Sequence, residues 1–262
     1  MDEENEIEFI KMKIGAELMI NKVKQYHNYI FDLYGTLIDI HTNEEKEILW
    51  EQLAEFYKKQ GANYETKELK NAYKDLVKAE HSTYSHEAYP EIQLEYVFQK
   101  MFQQKGMNVS LDVSIEAGQL FRTLSTEYIQ LYEHTHSLLK ALKEKGKHIY
   151  LLSNAQEIFT VPELEKLDLL QYFDSILISS TEQCKKPDEK FFRILLERYH
   201  LKVEECLMIG NDETTDIEGA YKIGMDSFYI HSNLSPELTK QSKSTYALME
   251  MDLKKVKEML VG

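Results

Sequence analysis

The chain has 262 residues, of which 43% are hydrophobic, so it is long and apolar enough to bury a sizeable globular core. Its formal net charge of −14 argues against nonspecific binding to nucleic acid or to an anionic membrane surface. Two cysteines give no disulfide framework, no apolar run reaches the roughly 18 residues of a membrane span, and the acidic N-terminus is unlike a signal peptide. We therefore expect a cytoplasmic protein with no nucleic-acid or membrane partner.

The first predicted elements are a helix and a buried strand. Apolar residues recur at helical spacing over residues 4–25, which indicates an amphipathic helix in an N-terminal extension, residues 1–27. The apolar run that follows is typical of a short buried strand and ends on Asp32, after which Gly35 permits a sharp turn. In an open parallel sheet, ligands bind beyond the carboxyl ends of the strands. Asp32 is therefore a candidate reacting group, or alternatively the cap of a turn.

Helical patterns follow this first strand. The apolar spacing predicts helices at about residues 44–61, 66–82, 92–106 and 111–132. We predict that residues 41–135 form one inserted four-helix domain with a hinge near each end.

From residue 137 onward, predicted strands and helices alternate. Strands at about residues 149–153, 173–179, 204–210 and 227–230 are separated by helices, and a last helix lies near residues 251–260. Such alternation predicts an α/β domain with a parallel sheet covered on both faces, built from residues 28–40 and 136–262.

Polar residues stand at the ends of these later strands. Ser153 and Asn154 end the second strand, Lys186 precedes a helix-starting proline, and an acidic loop at residues 211–216 follows another strand. Together with the segment around Asp32, and in this order, they resemble the four motifs of the haloacid dehalogenase (HAD) superfamily of hydrolases. The resemblance extends over residues 29–230. It implies a HAD-like, Rossmann-like doubly wound sheet, with the inserted helices as a cap of the subfamily IA type.

The resemblance also implies covalent hydrolysis of a small-molecule substrate. Its implied catalytic residues are Asp32, Thr36, Ser153, Asn154 and Lys186. Asp32 is the implied nucleophile, which forms an aspartyl intermediate that water later hydrolyses. Lys186 is the implied cation that keeps this carboxylate ionised and neutralises charge in the transition state. Lys185 is expected to be a solvated surface charge, because the family motif places its lysine directly before the proline.

An implied magnesium site involves the acidic loop. Mg²⁺ prefers oxygen ligands and keeps several waters, so one or two carboxylates suffice beside the substrate. The resemblance implies Asp32, the backbone carbonyl of Tyr34, and Asp212 or Asp216 as ligands. The register of the loop leaves both aspartates open, and Asp216 is alternatively a helix N-cap. No His/Cys cluster has the spacing of a zinc site.

Position 34 departs from the phosphatase pattern. Family phosphatases usually carry a second Asp there, which protonates the leaving oxygen, whereas a phenol with a pKa near ~10 is a poor general base at neutral pH. The run Asp-Leu-Tyr-Gly-Thr is similar instead to the first motif of the 2-haloacid dehalogenases. That pattern relies on a cap arginine, and Arg122 is the only arginine in the predicted cap.

Three functions remain open on these signals. We interpret the chain as a magnesium-dependent phosphatase of a small phosphorylated metabolite that favours good leaving groups. The alternatives are a 2-haloacid dehalogenase-like hydrolase and a HAD-like binding protein without catalysis. The sequence leaves the substrate and the oligomeric state unassigned. Four residues either line the site or form a solvent-facing loop, namely His81, Tyr84, His86 and Tyr89.

Overall fold

A computed structural model of the chain describes residues 23–83, 88–238 and 241–262. In chain order its elements are β1 (Asn28–Phe31), β2 (Ile38–Thr42), α1 (Glu47–Lys59), α2 (Thr66–Thr83), α3 (Leu94–Gln104), α4 (Leu111–Ser125), β3 (Thr126–Leu131), α5 (Thr135–Glu144), β4 (His148–Ser153), α6 (Glu157–Lys166), β5 (Ser175–Ile178), α7 (Ser179–Glu182), α8 (Glu189–Arg198), β6 (Cys206–Gly210), α9 (Glu218–Lys222), β7 (Asp226–Ile230), β8 (Tyr246–Leu248) and α10 (Leu253–Val261). A π-helical turn, Glu213–Ile217, precedes α9. The helix predicted at residues 4–25 lies outside the described residues, except for its last three positions.

Six of the described strands form one parallel sheet in the order β5–β4–β1–β6–β7–β8. The strand β1 lies inside this sheet, and its residue Phe31 pairs with Leu151 of β4 and with Ile209 of β6. The carboxyl ends of these three strands therefore meet at one edge, where open parallel sheets bind ligands. The predicted α/β architecture with a Rossmann-like parallel sheet is confirmed.

Both faces of this sheet are buried, which explains why its strands are continuous apolar runs. Successive residues of a strand point to opposite faces. On one face Tyr29 and Phe31 pack in a cluster with Leu142 of α5 and with residues of α10. On the other face Ile30 packs in a cluster with Phe191 of α8.

Helices α1–α4 (residues 47–125), called the helical insert below, pack around a further apolar cluster. Aromatic side chains form much of it: the ring centroids of Trp50 and Phe121 lie 5.6 Å apart, and those of Tyr57 and Phe102 lie 4.0 Å apart. The cluster also includes Ile158 and Phe159 of α6, so the insert shares its core with that helix. Whether residues 41–135 act as a cap domain stays a prediction.

The fourth helix of the insert is shorter than predicted. It ends at Ser125, and the residues predicted to continue it form the strand β3, which pairs antiparallel with β2. The run Thr-Glu-Tyr-Ile at residues 126–129 is rich in β-branched and aromatic residues, and strand pairing overrides the helical spacing. The prediction of a helix over residues 111–132 was wrong in this part.

The β2–β3 ribbon carries both connections between the insert and the sheet. Ile40 pairs with Ile129 inside it, and at its far end the backbone N of Asn43 donates to the carbonyl of Ser125 at 2.8 Å. None of the described helices is long and apolar enough to cross a membrane.

Candidate active site

Asp32 follows the last residue of β1 and is held on three sides. Its backbone N donates to the carbonyl of Ile209 at 2.9 Å, which continues the sheet by one step. Its Oδ1 accepts from Lys186 Nζ at 2.6 Å, and its Oδ2 accepts from Thr36 Oγ1 at 3.2 Å. The carboxylate is only 8% exposed and lies at the carboxyl edge of the sheet. It is therefore fixed in orientation at the position where ligands enter.

The turn after Asp32 requires glycine at position 35. Gly35 has φ +87°, a left-handed conformation that strains other residues. A Cβ added there would also lie 2.2 Å from the side-chain nitrogen of Asn211, so there is no room for a larger residue. This turn brings Thr36 back to the carboxylate, and Thr36 Oγ1 lies 3.3 Å from Asn211 Oδ1 as well.

Lys186 is the centre of a buried ion network. Its Nζ lies 2.6 Å from Asp32 Oδ1 and 2.7 Å from Asp216 Oδ1, and it donates to the carbonyl of Leu152 at 2.7 Å. Burial alone would lower the pKa of Lys186, but the charges of Asp216 and Asp32 raise it above its ordinary value. The ammonium thus stays charged between two carboxylates.

Asn154 fixes the backbone of this lysine. Its Nδ2 donates to the carbonyl of Lys186 at 2.9 Å, and its Oδ1 accepts from the backbone N of Lys186 at 2.8 Å. The amide predicted to face a substrate is therefore engaged in holding Lys186. Its neighbour Ser153 is 1% exposed, and its Oγ has no hydrogen-bond partner among the described residues. A buried hydroxyl in this state is available to a ligand.

The two aspartates of the acidic loop take different positions. Asp216 is 1% exposed, and its Oδ2 accepts from the backbone N of Asp212 at 3.1 Å. Burial raises the pKa of Asp216 above the ordinary carboxyl value, and the Lys186 charge counteracts this rise. Asp212 caps the π-helical turn, since its Oδ1 accepts from the backbone N of Thr214 at 2.7 Å. The capping role considered for Asp216 belongs to Asp212.

The cleft between these residues has a volume of ≈ 180 Å³. Its lining includes Asp32, Tyr34, Asn211, Asp212 and Asp216. Within the described ranges no group of three or more His, Cys, Asp or Glu side chains has the geometry of a metal site. Magnesium needs only one or two carboxylates with waters and a ligand oxygen, and three carboxylates line this one cleft. The donor set therefore fits Mg²⁺.

Tyr34 contacts the helix α6 through its hydroxyl. The phenol donates to Glu163 Oε2 at 2.5 Å and lies 3.1 Å from Thr160 Oγ1. Burial raises the pKa of Tyr34 above its ordinary value, and the charge of Glu163 raises it further. The hydroxyl is thus bound to another residue and is a weaker acid than a free phenol.

Arg122 of the insert joins the same cluster. Its Nε donates to Glu163 Oε1 at 2.7 Å, and its guanidinium carbon lies 5.5 Å from the ring centroid of Tyr34. Both partners of this ion pair are largely buried, with side chains 20% and 12% exposed. The arginine that a dehalogenase pattern needs for a substrate carboxylate is therefore neutralised by Glu163. We call these three residues and Thr160 the Tyr34 cluster.

Comparison with known proteins supplies the family. The profile of the haloacid dehalogenase-like hydrolases matches residues 26–224, which is most of the chain. The chain belongs to this family. The predicted resemblance to the HAD superfamily is confirmed.

Individual curated relatives of this HAD-like hydrolase include phosphatases. It is 27% identical over 126 residues to the glyceraldehyde 3-phosphate phosphatase of Pyrococcus furiosus, an alignment that covers 47% of this chain and 52% of that one. The chain thus spans about half the length of such curated relatives.

Two solved structures show the shared fold. A 2-haloacid dehalogenase from Pseudomonas syringae pv. Tomato DC3000 superimposes with a TM-score of 0.62 at 17% identity, covering 90% of this chain and 98% of that one. The putative HAD-hydrolase YfnB from Bacillus subtilis, bound to magnesium, superimposes with a TM-score of 0.54 at 16% identity. That superposition covers 90% of this chain and 99% of YfnB. At these identities the likeness concerns the fold alone.

In this HAD-like hydrolase the structure brings the predicted catalytic residues to one sheet edge. Their catalytic and metal-binding roles stay predictions. Sequence reasoning missed Glu163 and Thr160, which are spaced three residues apart on α6, and nothing local distinguishes them from solvent-facing positions. His81 lies in α2 and Tyr89 lines a second cavity, whereas Tyr84 and His86 lie outside the described residues.

Proposed function

We propose that this HAD-like hydrolase is a phosphatase that acts on a small phosphorylated metabolite through an aspartyl-phosphate intermediate on Asp32. The observation that carries the proposal is the buried Lys186 ammonium, 2.6 Å from Asp32 and 2.7 Å from Asp216, at the carboxyl end of an interior strand. A fixed cation beside a nucleophilic carboxylate favours attack on an anionic group. The phosphatase names among the curated relatives support the same reaction.

In the proposed reaction, Asp32 Oδ2 attacks phosphorus and the bond from phosphorus to the leaving oxygen breaks. Lys186 holds Oδ1 and thereby aims Oδ2, which accepts a hydrogen bond from the Thr36 hydroxyl at 3.2 Å. Water then attacks the aspartyl phosphate, releases phosphate and restores the carboxylate. The unpartnered Ser153 hydroxyl and the Lys186 ammonium stabilise charge on the phosphoryl oxygens.

Magnesium completes the proposed site. The residues that would hold it are Asp32, the backbone carbonyl of Tyr34, and Asp212 or Asp216. When bound, the ion supplies positive charge for the phosphoryl oxygens. The description of YfnB as magnesium-bound supports this assignment by fold likeness.

The leaving group is expected to depart without a proton from position 34. The Tyr34 hydroxyl is bound to Glu163, and its raised pKa makes it a weaker acid. General acid catalysis is worth about 10²–10⁴-fold, so this phosphatase is expected to prefer leaving groups that are stable as anions. Acyl and aryl phosphates are of this kind.

Dehalogenation of a 2-haloacid is the second candidate, because Tyr34 stands in the first motif. The neutralisation of Arg122 by Glu163 argues against it, since the substrate carboxylate then lacks that partner.

One assay separates the candidates. Acetyl phosphate, 4-nitrophenyl phosphate and 2-chloropropionate are each supplied with magnesium or with a chelator, and phosphate and chloride release are measured. Phosphate release that needs magnesium supports the proposal. Chloride release in the presence of chelator, without turnover of any phosphate, overturns it. Release of neither product from any of the three compounds favours the alternative of a HAD-like binding protein.

A further inference from the structure

A second cavity adjoins the catalytic cleft. It has a volume of ≈ 630 Å³, within the range of about 300–1,000 Å³ that is usual for small-molecule sites. Asn154, Lys186 and Thr215 line both the cavity and the cleft. A ligand with its phosphoryl group at Asp32 therefore has room for its remaining atoms in this adjoining space.

The wall of the cavity is built from two parts of the chain. Pro90 forms an isolated antiparallel bridge with Cys184, so Tyr89 and Lys185 come next to each other across this bridge. A hydrogen bond from Gln183 Nε2 to Gln93 Oε1, 3.2 Å long, lies further along the same pairing. The segment before α3 is thereby docked beside the residue that precedes Lys186.

Two lysines of this wall form no ion pair with a described residue. Neither Lys185 nor Lys222 lies within 4.0 Å of a carboxylate oxygen of any described residue. Lys222 is held over the cavity, with Nζ 5.2 Å from the ring centroid of Tyr89 and 3.4 Å from the carbonyl of Pro187. Lys185 is partly buried and lines the cavity. Its interpretation as a solvated surface charge stays a prediction.

The carboxylates of the same wall are already engaged. Glu218 pairs with Lys243 at 2.6 Å. Glu91 Oε2 accepts from Ser179 Oγ at 2.8 Å, and its Oε1 accepts from the backbone N of Ile92 at 3.0 Å. Lys185 and Lys222 thus line a cavity beside the catalytic cleft without a carboxylate partner among the described residues. An anionic ligand group would balance them.

We propose that this cavity binds a second anionic group of the substrate, a carboxylate or a second phosphate, through Lys185 and Lys222. The inference rests on the proposed phosphatase function, since it places the transferred phosphoryl group at Asp32. The substrate class is then a phosphate ester that carries a further anion, and the Tyr89 ring packs against the atoms between the two groups.

Matched aryl phosphates test this subsite. The carboxylate arm compares 4-carboxyphenyl phosphate with its uncharged isostere 4-carbamoylphenyl phosphate, and the phosphate arm compares hydroquinone bisphosphate with hydroquinone monophosphate. In one of the two pairs, the wild type is expected to prefer the compound with two anionic groups, with a kcat/KM higher by roughly tenfold. This factor corresponds to one hydrogen bond to a charged group. The pair that shows the preference identifies the anion. The Lys185→Ala/Lys222→Ala variant is expected to lose it, whereas Lys190→Ala, at an exposed position of α8, retains it.

The outcomes separate the subsite from the reaction. Equal kcat/KM within both pairs for the wild type, or a preference that survives in the double variant, overturns the subsite. Binding of the same probes to Asp32→Asn is measured by calorimetry. If the wild type releases no phosphate but Asp32→Asn binds one doubly anionic probe about tenfold more tightly than its partner, the phosphatase proposal fails and the subsite stands.

Discussion

Two neighbouring positions on the first loop, 32 and 34, belong to regions that are built differently. Asp32 contacts Lys186, which also contacts Asp216, and all three belong to loops at the end of the parallel sheet. Tyr34 contacts Glu163 on α6, which also binds Arg122 on α4 of the insert. The first network holds the proposed nucleophile within the sheet domain, whereas the second ties that domain to the insert. A position that carries a general acid in family phosphatases is used here for attachment.

The largest expected effect is on the nucleophile. Asp32→Asn keeps the shape of the side chain but removes the attacking carboxylate, so turnover should fall by a factor on the order of 10⁴ or more. Phosphate release under single-turnover conditions is the measurement, with circular dichroism as the control for folding. A variant with a near-normal rate would refute the covalent mechanism.

The second-largest effect is expected from removal of the metal. A chelator should lower phosphate release by about 10²–10⁴-fold, because several kcal/mol of charge stabilisation are lost, and added Mg²⁺ should restore it. The activity of Asp212→Asn and of Asp216→Asn is titrated with Mg²⁺. The variant that needs the higher Mg²⁺ concentration for half-maximal activity has lost the metal ligand. Full activity in chelator contradicts the magnesium assignment.

The third-largest effect is expected from substitution of Lys186, the cation between the two carboxylates. Lys186→Met should reduce kcat by about 10²–10³-fold. It should also destabilise the fold by about 3–5 kcal/mol, because Asp32 and Asp216 are left buried without their partner. Steady-state kinetics and urea unfolding measure the two effects, and the exposed Lys190→Met is the matched control. A loss of activity without a loss of stability would show that the network is not buried as described.

Restoring an acid at position 34 should produce a smaller gain. Tyr34→Asp places a carboxyl group where family phosphatases have one, so activity on alkyl phosphates should rise by about tenfold, less than the roughly 10²–10⁴-fold of a well-placed general acid. Activity on acetyl phosphate should change less, since that leaving group needs no proton. Equal changes on both substrates would exclude a role in leaving-group protonation.

The smallest effect is expected from Tyr34→Phe. This variant tests whether the Tyr34 hydroxyl takes part in the reaction or only joins the sheet domain to the insert. Tyr34→Phe removes the hydroxyl but leaves the pair of Arg122 and Glu163 in place, so it should cost about 1 kcal/mol of unfolding free energy. With 4-nitrophenyl phosphate, kcat should stay within about two-fold, because the hydroxyl is engaged by Glu163 and Thr160. Loss of turnover in this variant would make Tyr34 a catalytic residue.

The sequence reveals the catalytic network better than it reveals the Tyr34 cluster. Asp32 and Ser153 each end a buried apolar run, and parallel strands bring such ends together whatever their separation along the chain. Glu163 carries no comparable signal, because an acidic residue on an amphipathic helix is usually solvated. The position of Lys185 at the second cavity is hidden for a similar reason, since no local pattern shows that Pro90 pairs with Cys184.

The β3 strand was missed for a different reason. Its six residues fit either a helix or a strand, and the choice depends on a partner, β2, that lies far away in the sequence. Pairing energy with a distant segment is not encoded in local spacing.

The hydrogen bond between Asn43 and Ser125 closes the chain segment that contains the insert into a loop. The whole insert begins and ends at one backbone hydrogen bond of 2.8 Å, so it is a loop whose two ends are already joined. Closing a loop of this length costs about 4 kcal/mol of chain entropy, and the β2–β3 ribbon provides the contacts that offset it. Asp32 and Asp216 lie outside this loop, so its closure entropy does not involve them. A short turn across the ribbon would join the same two strands, but it would also remove Pro90 from Cys184 and Arg122 from Glu163.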